Sequence, residues 1–257
     1  GSPIPEGART AQIELSFERL GFNLDVDIGA VGSIRGTVES ITERVEASDE
    51  ASARNAALIA TKQEELRASA ARLERQRDSR PMSPASAIEA LASVLPDDVV
   101  VADESITASL EVASGIEFER VGDYYGGRGG GIGQGVAGAI GAQIAHPDRR
   151  VVALTGDGSA MYSITALWTA VHHELPIVFV VLSNREYRVL KHNLDIFRER
   201  FDADSNRPYP HMDLDNPELG FVEMARGMGM AADQVTEPEQ VRERLARAFG
   251  RSAPYLL

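Results

Sequence analysis

Short continuous apolar runs recur in the C-terminal part of the chain: Val99–Ala102, Val151–Thr155 and Pro176–Leu182. Each ends in small or polar residues. Uninterrupted apolar runs of that length, rich in Val, predict strands buried on both faces of a parallel sheet. Between the last two lies a stretch of about fifteen residues that reads as a helix. Ser83-Pro84 predicts a helix start, with a hydroxyl cap and a proline in the first turn; Ile88, Leu91, Ala92 and Leu95 form its buried face. Pro217 predicts another helix, with Phe221 and Met224 inward and Gly227 or Gly229 at its end. A strand at Ala232–Val235, a helix from Pro238 to Phe249 and a strand from Ala253 to Leu257 follow. The fold class is α/β, a doubly wound parallel sheet.

The N-terminal part differs. Thr10–Leu15 alternates and reads as a strand, Val26–Gly29 as a second, and Ser33 caps a helix that runs to Val45. Residues 46–80 are rich in Ala, Glu and Arg, with Leu58, Leu66 and Leu73 at helical spacing amid charge. They read as an exposed linking helix with a thin apolar stripe. Three regions result: 1–45, 46–80 and 81–257. Two strands and one helix are too little for the first to be a domain, so the chain is expected to be part of a longer protein.

Composition narrows the chemistry. A formal net charge of -13, from 39 acidic and 26 basic residues, argues against a nucleic-acid partner. No apolar run reaches the roughly 18 residues of a membrane span, and no signal peptide is visible. Without Cys, the chain has no disulfide, thiolate nucleophile or Cys-ligated metal. A cytoplasmic location is compatible with this. Lys62 and Lys191 are the lysines; the other basic residues are Arg. Either Arg-favouring codon usage or adaptation to high salt accounts for that bias.

The candidate chemistry sits at two strand ends. Val151–Thr155 leads into Gly156-Asp157-Gly158-Ser159, and Pro176–Leu182 leads into Ser183-Asn184. Parallel neighbours bring both ends to one sheet edge, where ligands of open α/β folds bind. Asp157 offers a carboxylate oxygen, Asn184 an amide oxygen and Glu186 a backbone carbonyl. A few hard oxygens with positions left open suit Mg²⁺ that also binds phosphate. Gly158 and Ser159 begin a helix, whose free N–H groups favour an anion. The residues read as a metal-bridged diphosphate site.

Gly156-Asp157-Gly158-Ser159 followed by Ser183-Asn184 resembles the thiamine-diphosphate motif of the 2-oxo-acid decarboxylase and acetolactate synthase superfamily. The run from Gly156 through Trp168 is most similar to benzoylformate decarboxylase-type enzymes. The chain departs from the pattern at Arg185, where the family usually has glycine after two asparagines. The resemblance implies thiamine diphosphate and Mg²⁺ as cofactors and a small 2-oxo acid as substrate. It also implies a homodimer or homotetramer with the active site at the subunit interface.

Residue by residue, the resemblance implies that the Thr107 hydroxyl meets the diphosphate and the Gly130 carbonyl holds the aminopyrimidine. Ile132 is then the wedge between the two cofactor rings. Gly156 belongs to the motif, Tyr187 lies over the cofactor, and Val189 and Asn193 line the substrate space. The glutamate that activates the aminopyrimidine is expected in an N-terminal domain that no part of this chain resembles. Glu104 and Glu186, the acidic residues near the site, are placed at its diphosphate end. The chain alone is therefore expected not to turn over substrate. Residues 1–45 resemble the second half of the family's Rossmann-like middle domain.

Rival readings are weaker. Gly133, Gly135 and Gly138 spell a dinucleotide fingerprint, but residues 122–125 before them do not read as a buried strand. His172-His173 falls at the far end of a helix and reads as structural. Ser159 lacks the frame of a nucleophile elbow. Decarboxylation and acetolactate synthase-like carboligation remain alternatives, as does a non-catalytic diphosphate-binding or assembly subunit.

Overall fold

The computed structural model of the protein describes residues 4–77, 79–127, 129–203 and 208–257. The chain divides into two compact units, one up to Ala68 and one from Ser69. The first holds two parallel strands, β1 (Ala11–Glu14) and β2 (Ile28–Val31), and helix α1 (Ile34–Thr42). β2 begins two residues later than the pattern at Val26 predicts. Ser33 caps α1 as read, its Oγ accepting from the N–H of Gly36 at 3.2 Å. No described residue up to Ala68 is buried. Helix α2 (Asp49–Gln76) is likewise exposed over most of its length, as its thin apolar stripe predicts.

The second unit is a three-layer α/β/α structure. It opens with α3 (Pro84–Ala92), β3 (Val100–Glu104), α4 (Ser109–Gly115) and β4 (Tyr124–Gly126). There follow α5 (Gln134–Ala145), β5 (Val151–Gly156), α6 (Asp157–Ala160), α7 (Ala166–His172), β6 (Val178–Leu182) and α8 (Arg188–Arg200). It closes with α9 (Phe221–Gly227), β7 (Ala231–Ala232), α10 (Pro238–Phe249) and β8 (Tyr255–Leu256). The six-stranded sheet is parallel throughout, in the order β4-β3-β5-β6-β8-β7.

The apolar runs are buried because both faces of the sheet are covered. Val100, Ala102, Val151, Ala153 and Phe179 face α5, α7 and α9. Val101, Val152, Leu154, Val178 and Val180 face α3 and α10. Successive side chains of a strand point to opposite faces, so a strand with helices on both sides needs apolar residues at every position. Ser83 caps α3 by accepting from the N–H of Ser86 at 3.1 Å.

Three expectations change. The single helix between β5 and β6 is two, α6 and α7, joined by a turn at 161–165. The helix read from Pro217 starts at Phe221, because Pro217 lies in a turn closed by the Asp215–Glu218 bridge. Residues 124–126 do form a strand, but an exposed edge strand of three residues, unlike the buried strand a dinucleotide fingerprint follows.

β3 leads to β4 on one side and β5 pairs with β3 on the other, so the connections diverge between β3 and β5. Clefts at such a switch point, at the carboxyl ends of the strands, are where α/β folds bind ligands.

Candidate functional site

Three strand ends meet at this switch point. Glu104 of β3 lies opposite Thr155 of β5, and Gly156 opposite Leu182 of β6. The next residues of β5 and β6 are therefore Asp157 and Ser183-Asn184, as the sequence pattern predicts. Asp157 is 2% exposed. Its Oδ1 accepts from the N–H of Gly158 at 2.8 Å. Its Oδ2 accepts from the N–H of Arg185 at 2.6 Å and from the Ser183 hydroxyl at 3.3 Å. A carboxylate has about four lone-pair sites, so one remains for a further partner. Asn184 Oδ1 accepts from the N–H of Glu186 at 3.0 Å, which turns the loop and draws residue 186 in beside it.

These bonds bring Asp157, Asn184 and Glu186 into one loop cluster. Among the described residues no group of three or more His, Cys, Asp or Glu side chains converges on a metal position. The cluster is of another kind, one carboxylate with an amide oxygen and a backbone carbonyl, which suits Mg²⁺ shared with phosphate oxygens. Space is present as well. A Cβ on Gly156 or on Gly130 would meet nothing within 4 Å.

Arg185 occupies the position of the family glycine with φ of +60°, the left-handed conformation a glycine adopts without strain. The loop thus keeps a glycine-like path. Four contacts hold it there: the N–H to Asp157, its carbonyl accepting from Leu214 at 2.7 Å, a guanidinium pair with Glu218 at 2.5 Å, and the neighbouring Glu186–Asp213 bridge.

The segment 208–218 straps this loop. Tyr187 donates its N–H to Met212, and Lys191 bridges Glu186 at 2.5 Å and Asp213 at 2.6 Å. The Lys191 hydrogen bond holds the Glu186 carboxyl below its ordinary range. The Asp213 and Glu186 bonds hold the Lys191 ammonium above its own. The polar stretch from Asp202 to Asn216 reads from its sequence as a long loop, and within it residues 204–207 lie outside the described residues. Tyr187 lays its ring over Gly158; a Cβ there would come within 2.6 Å of it.

The remaining candidates are less gathered. Thr107 is exposed in the turn after β3. Beside it Ile106 has φ of +54°, a strained state for a β-branched residue of the kind stored at functional sites. Nothing in the sequence marks it. Gly130 and Ile132 lie on an exposed loop before α5, with Gly129 and Gly130 both at φ +70°. Val189 is half-buried in the first turn of α8, and Asn193 is exposed on the same helix. His172 ends α7 and stacks on Trp168, with ring centroids 4.7 Å apart.

Two carboxylates at the β3 end were not legible in their roles. Asp103 accepts from the Ser105 N–H and hydroxyl and from the Tyr124 hydroxyl at 2.9 Å. Burial and that bond push the Tyr124 phenol up to about 12. Glu104 was expected at the diphosphate end; it points instead to the start of α5, accepting from Gly133 and Gly135.

Residues 106–257 match the family model described as thiamine pyrophosphate enzyme, C-terminal TPP binding domain. A Mycobacterium tuberculosis protein named as an acetolactate synthase large subunit is 34% identical over 189 residues, 70% of this chain and 36% of its own. A benzoylformate decarboxylase of Pseudomonas aeruginosa is 33% identical over 177 residues, 69% of this chain and 32% of its own. The solved Rhodococcus jostii thiamine diphosphate-dependent 4-hydroxybenzoylformate decarboxylase superposes with a TM-score of 0.79 at 26% identity. It covers 100% of this chain and 44% of its own. The chain thus spans about a third of the length of these curated relatives.

Proposed function

This chain belongs to the thiamine pyrophosphate enzymes, and on that premise we propose that it is the diphosphate-binding part of a Mg²⁺-dependent enzyme that decarboxylates a small 2-oxo acid without oxidation. The observation that supports this reading is the bond from the Arg185 N–H to Asp157 Oδ2, which ties the loop that carries Asn184 and Glu186 to the first turn of α6. When bound, thiamine diphosphate supplies the electron sink for loss of carbon dioxide.

The residues present fit that group. Asp157, the Asn184 amide oxygen and the Glu186 carbonyl would hold the metal. The N–H of Ser159, with the Thr107 hydroxyl, would hold the diphosphate; the N–H of Gly158, read as free from the sequence, is instead taken by Asp157 Oδ1 at 2.8 Å. Gly156, without a side chain, leaves room for it. The Gly130 carbonyl and the Ile132 side chain would set the aminopyrimidine, with Tyr187 closing over the metal end. Val189 and Asn193 would border the substrate.

Glu104 does not serve as the activating acid in this reading, since both of its oxygens are engaged with backbone N–H groups. That carboxylate would come from another domain, at an interface between copies of the protein in a cytoplasmic homodimer or homotetramer. Carboligation is the second reading, favoured by the 34% identity to a protein named as an acetolactate synthase large subunit.

The test is calorimetric titration with thiamine diphosphate, in Mg²⁺ and in chelator, followed by product analysis with aryl and alkyl 2-oxo acids. Mg²⁺-dependent binding with aldehyde and carbon dioxide as products supports decarboxylation. A 2-hydroxy ketone or acetohydroxy acid product supports carboligation. Binding without turnover, even with the rest of the protein supplied, marks an assembly subunit. No binding sinks the reading.

A further inference from the structure

Glu104 carries a buried carboxylate, 3% exposed, at the end of β3. Its Oε1 accepts from the N–H of Gly133 and its Oε2 from the N–H of Gly135, each at 2.7 Å. A helix is ordinarily capped by a side chain of the residue next to its first turn. Here the residue at that position is Gly133, with no side chain and with φ of +94°. The acceptor comes instead from a strand 29 residues earlier. The junction between loop and helix is thereby fastened to the sheet.

Packing fixes the same junction. A Cβ at Gly135 would stand 2.7 Å from the Glu104 Cβ, and one at Gly133 would stand 2.7 Å from the Tyr162 Cβ. Ahead of the junction, the Gly131 carbonyl accepts from the Gln134 side chain at 2.9 Å, a bond to the start of α5 itself and not to the sheet. Gly129 and Gly130 are both left-handed, and a Cβ on either would meet nothing. A glycine run is conformationally permissive, so its path depends on where its end is held.

We infer that Glu104 is a positioning residue. It holds the loop 129–133 against the sheet, and so sets where the Gly130 carbonyl and the Ile132 side chain stand. This rests on the proposed function only in naming what the loop meets, the ring end of thiamine diphosphate. The metal end of the site is supported by a separate set of bonds, from Asp157 and Asn184. The two ends should therefore respond independently when Glu104 is altered.

The test compares wild type with Glu104→Gln and Glu104→Asp. Glutamine keeps the shape but sets an NH₂ donor against one of the two N–H donors. Aspartate keeps both acceptors on a shorter stem. The first readout is amide hydrogen exchange without ligand. The expected result for Glu104→Gln is faster exchange over 129–136 with unchanged exchange over 183–187, and partial recovery in Glu104→Asp. The second is calorimetric affinity for thiamine diphosphate and for inorganic pyrophosphate, both with Mg²⁺. Loss of one charge-assisted bond should weaken thiamine diphosphate by about tenfold or more and leave pyrophosphate within about twofold. Unchanged exchange over 129–136, or equal losses for both ligands, overturns the positioning role. If wild type binds neither ligand, the proposed function fails, while the exchange result still decides what Glu104 does. If Glu104→Gln does not fold, the same comparisons on Glu104→Asp decide it.

Discussion

The backbone N–H of Arg185 donates to Oδ2 of Asp157 at 2.6 Å, tying the loop after β6 to the first turn of α6. The bond requires Arg185 to hold φ of +60°, and a side chain in that region costs about 1–2 kcal/mol. The pair with Glu218 sits on a half-exposed surface and offsets little of that.

Arg185→Gly should therefore leave stability within about 1 kcal/mol of wild type, since relieved strain is opposed mainly by the greater freedom of glycine in the unfolded chain and only slightly by the lost pair. Arg185→Val, β-branched and unpaired, should lose about 1–3 kcal/mol. Urea unfolding midpoints decide between them. Equal losses in both variants would show that the ion pair, and not the backbone, matters at this position.

Asp157→Asn keeps the shape but removes the charge and replaces one acceptor by a donor. We expect Mg²⁺-dependent binding of thiamine diphosphate to be abolished and stability to fall by about 1–3 kcal/mol, as a buried N–H loses its partner. Calorimetry with and without chelator measures the first, and thermal unfolding the second. Wild-type affinity in this variant would refute the metal assignment.

The Glu186–Lys191–Asp213 strap gives a pH dependence with a definite sign. Lys191 lowers Glu186 from an ordinary 4.5, so that contribution is present above 4.5 and lost as pH falls through the lowered value. Asp213 and Glu186 raise Lys191 from an ordinary 10.5, so its contribution is present below 10.5 and lost as pH rises through the raised value. The stability difference between wild type and Lys191→Met should be level between these limits and shrink outside them. A difference that varies across neutral pH would contradict this.

Two glycines should respond differently to alanine. Gly133→Ala adds a Cβ 2.7 Å from the Tyr162 Cβ and forces φ of +94° on a non-glycine residue; a loss of about 2–4 kcal/mol is expected. Gly158→Ala puts a Cβ 2.6 Å from the Tyr187 ring, which can turn aside, and 3.5 Å from Leu214 Cδ1, an ordinary contact. Its stability loss should be smaller, about 1 kcal/mol, with the greater effect on anion binding. Guanidinium unfolding and pyrophosphate titration on both variants test the contrast.

Much of the sheet unit was legible in the residues because its information is local. Uninterrupted apolar runs such as Val151–Thr155 mean strands covered on both faces, and the structure places helices on both. Ser83 and Ser33 announce helix starts because a cap is chemistry between near neighbours. Asp157 and Asn184 could be paired because parallel register brings equivalent strand ends to one edge.

Tertiary structure alone decided the rest. The break between α6 and α7 and the late start of α9 answer to packing and to a closed turn, which leave no periodic trace. The left-handed state of Arg185 is held because bonds to Asp157 and Leu214 fix the two peptides that flank it. Glu104, adjacent in sequence to Asp103, faces the opposite way along the pleat and meets Gly133 and Gly135 across 29 and 31 residues of chain. A strand's alternation shows that two neighbours diverge. Which element lies opposite each of them is set only when the sheet and helices assemble, and that assembly gives one carboxylate to Ser105 and Tyr124 and the other to the loop before α5.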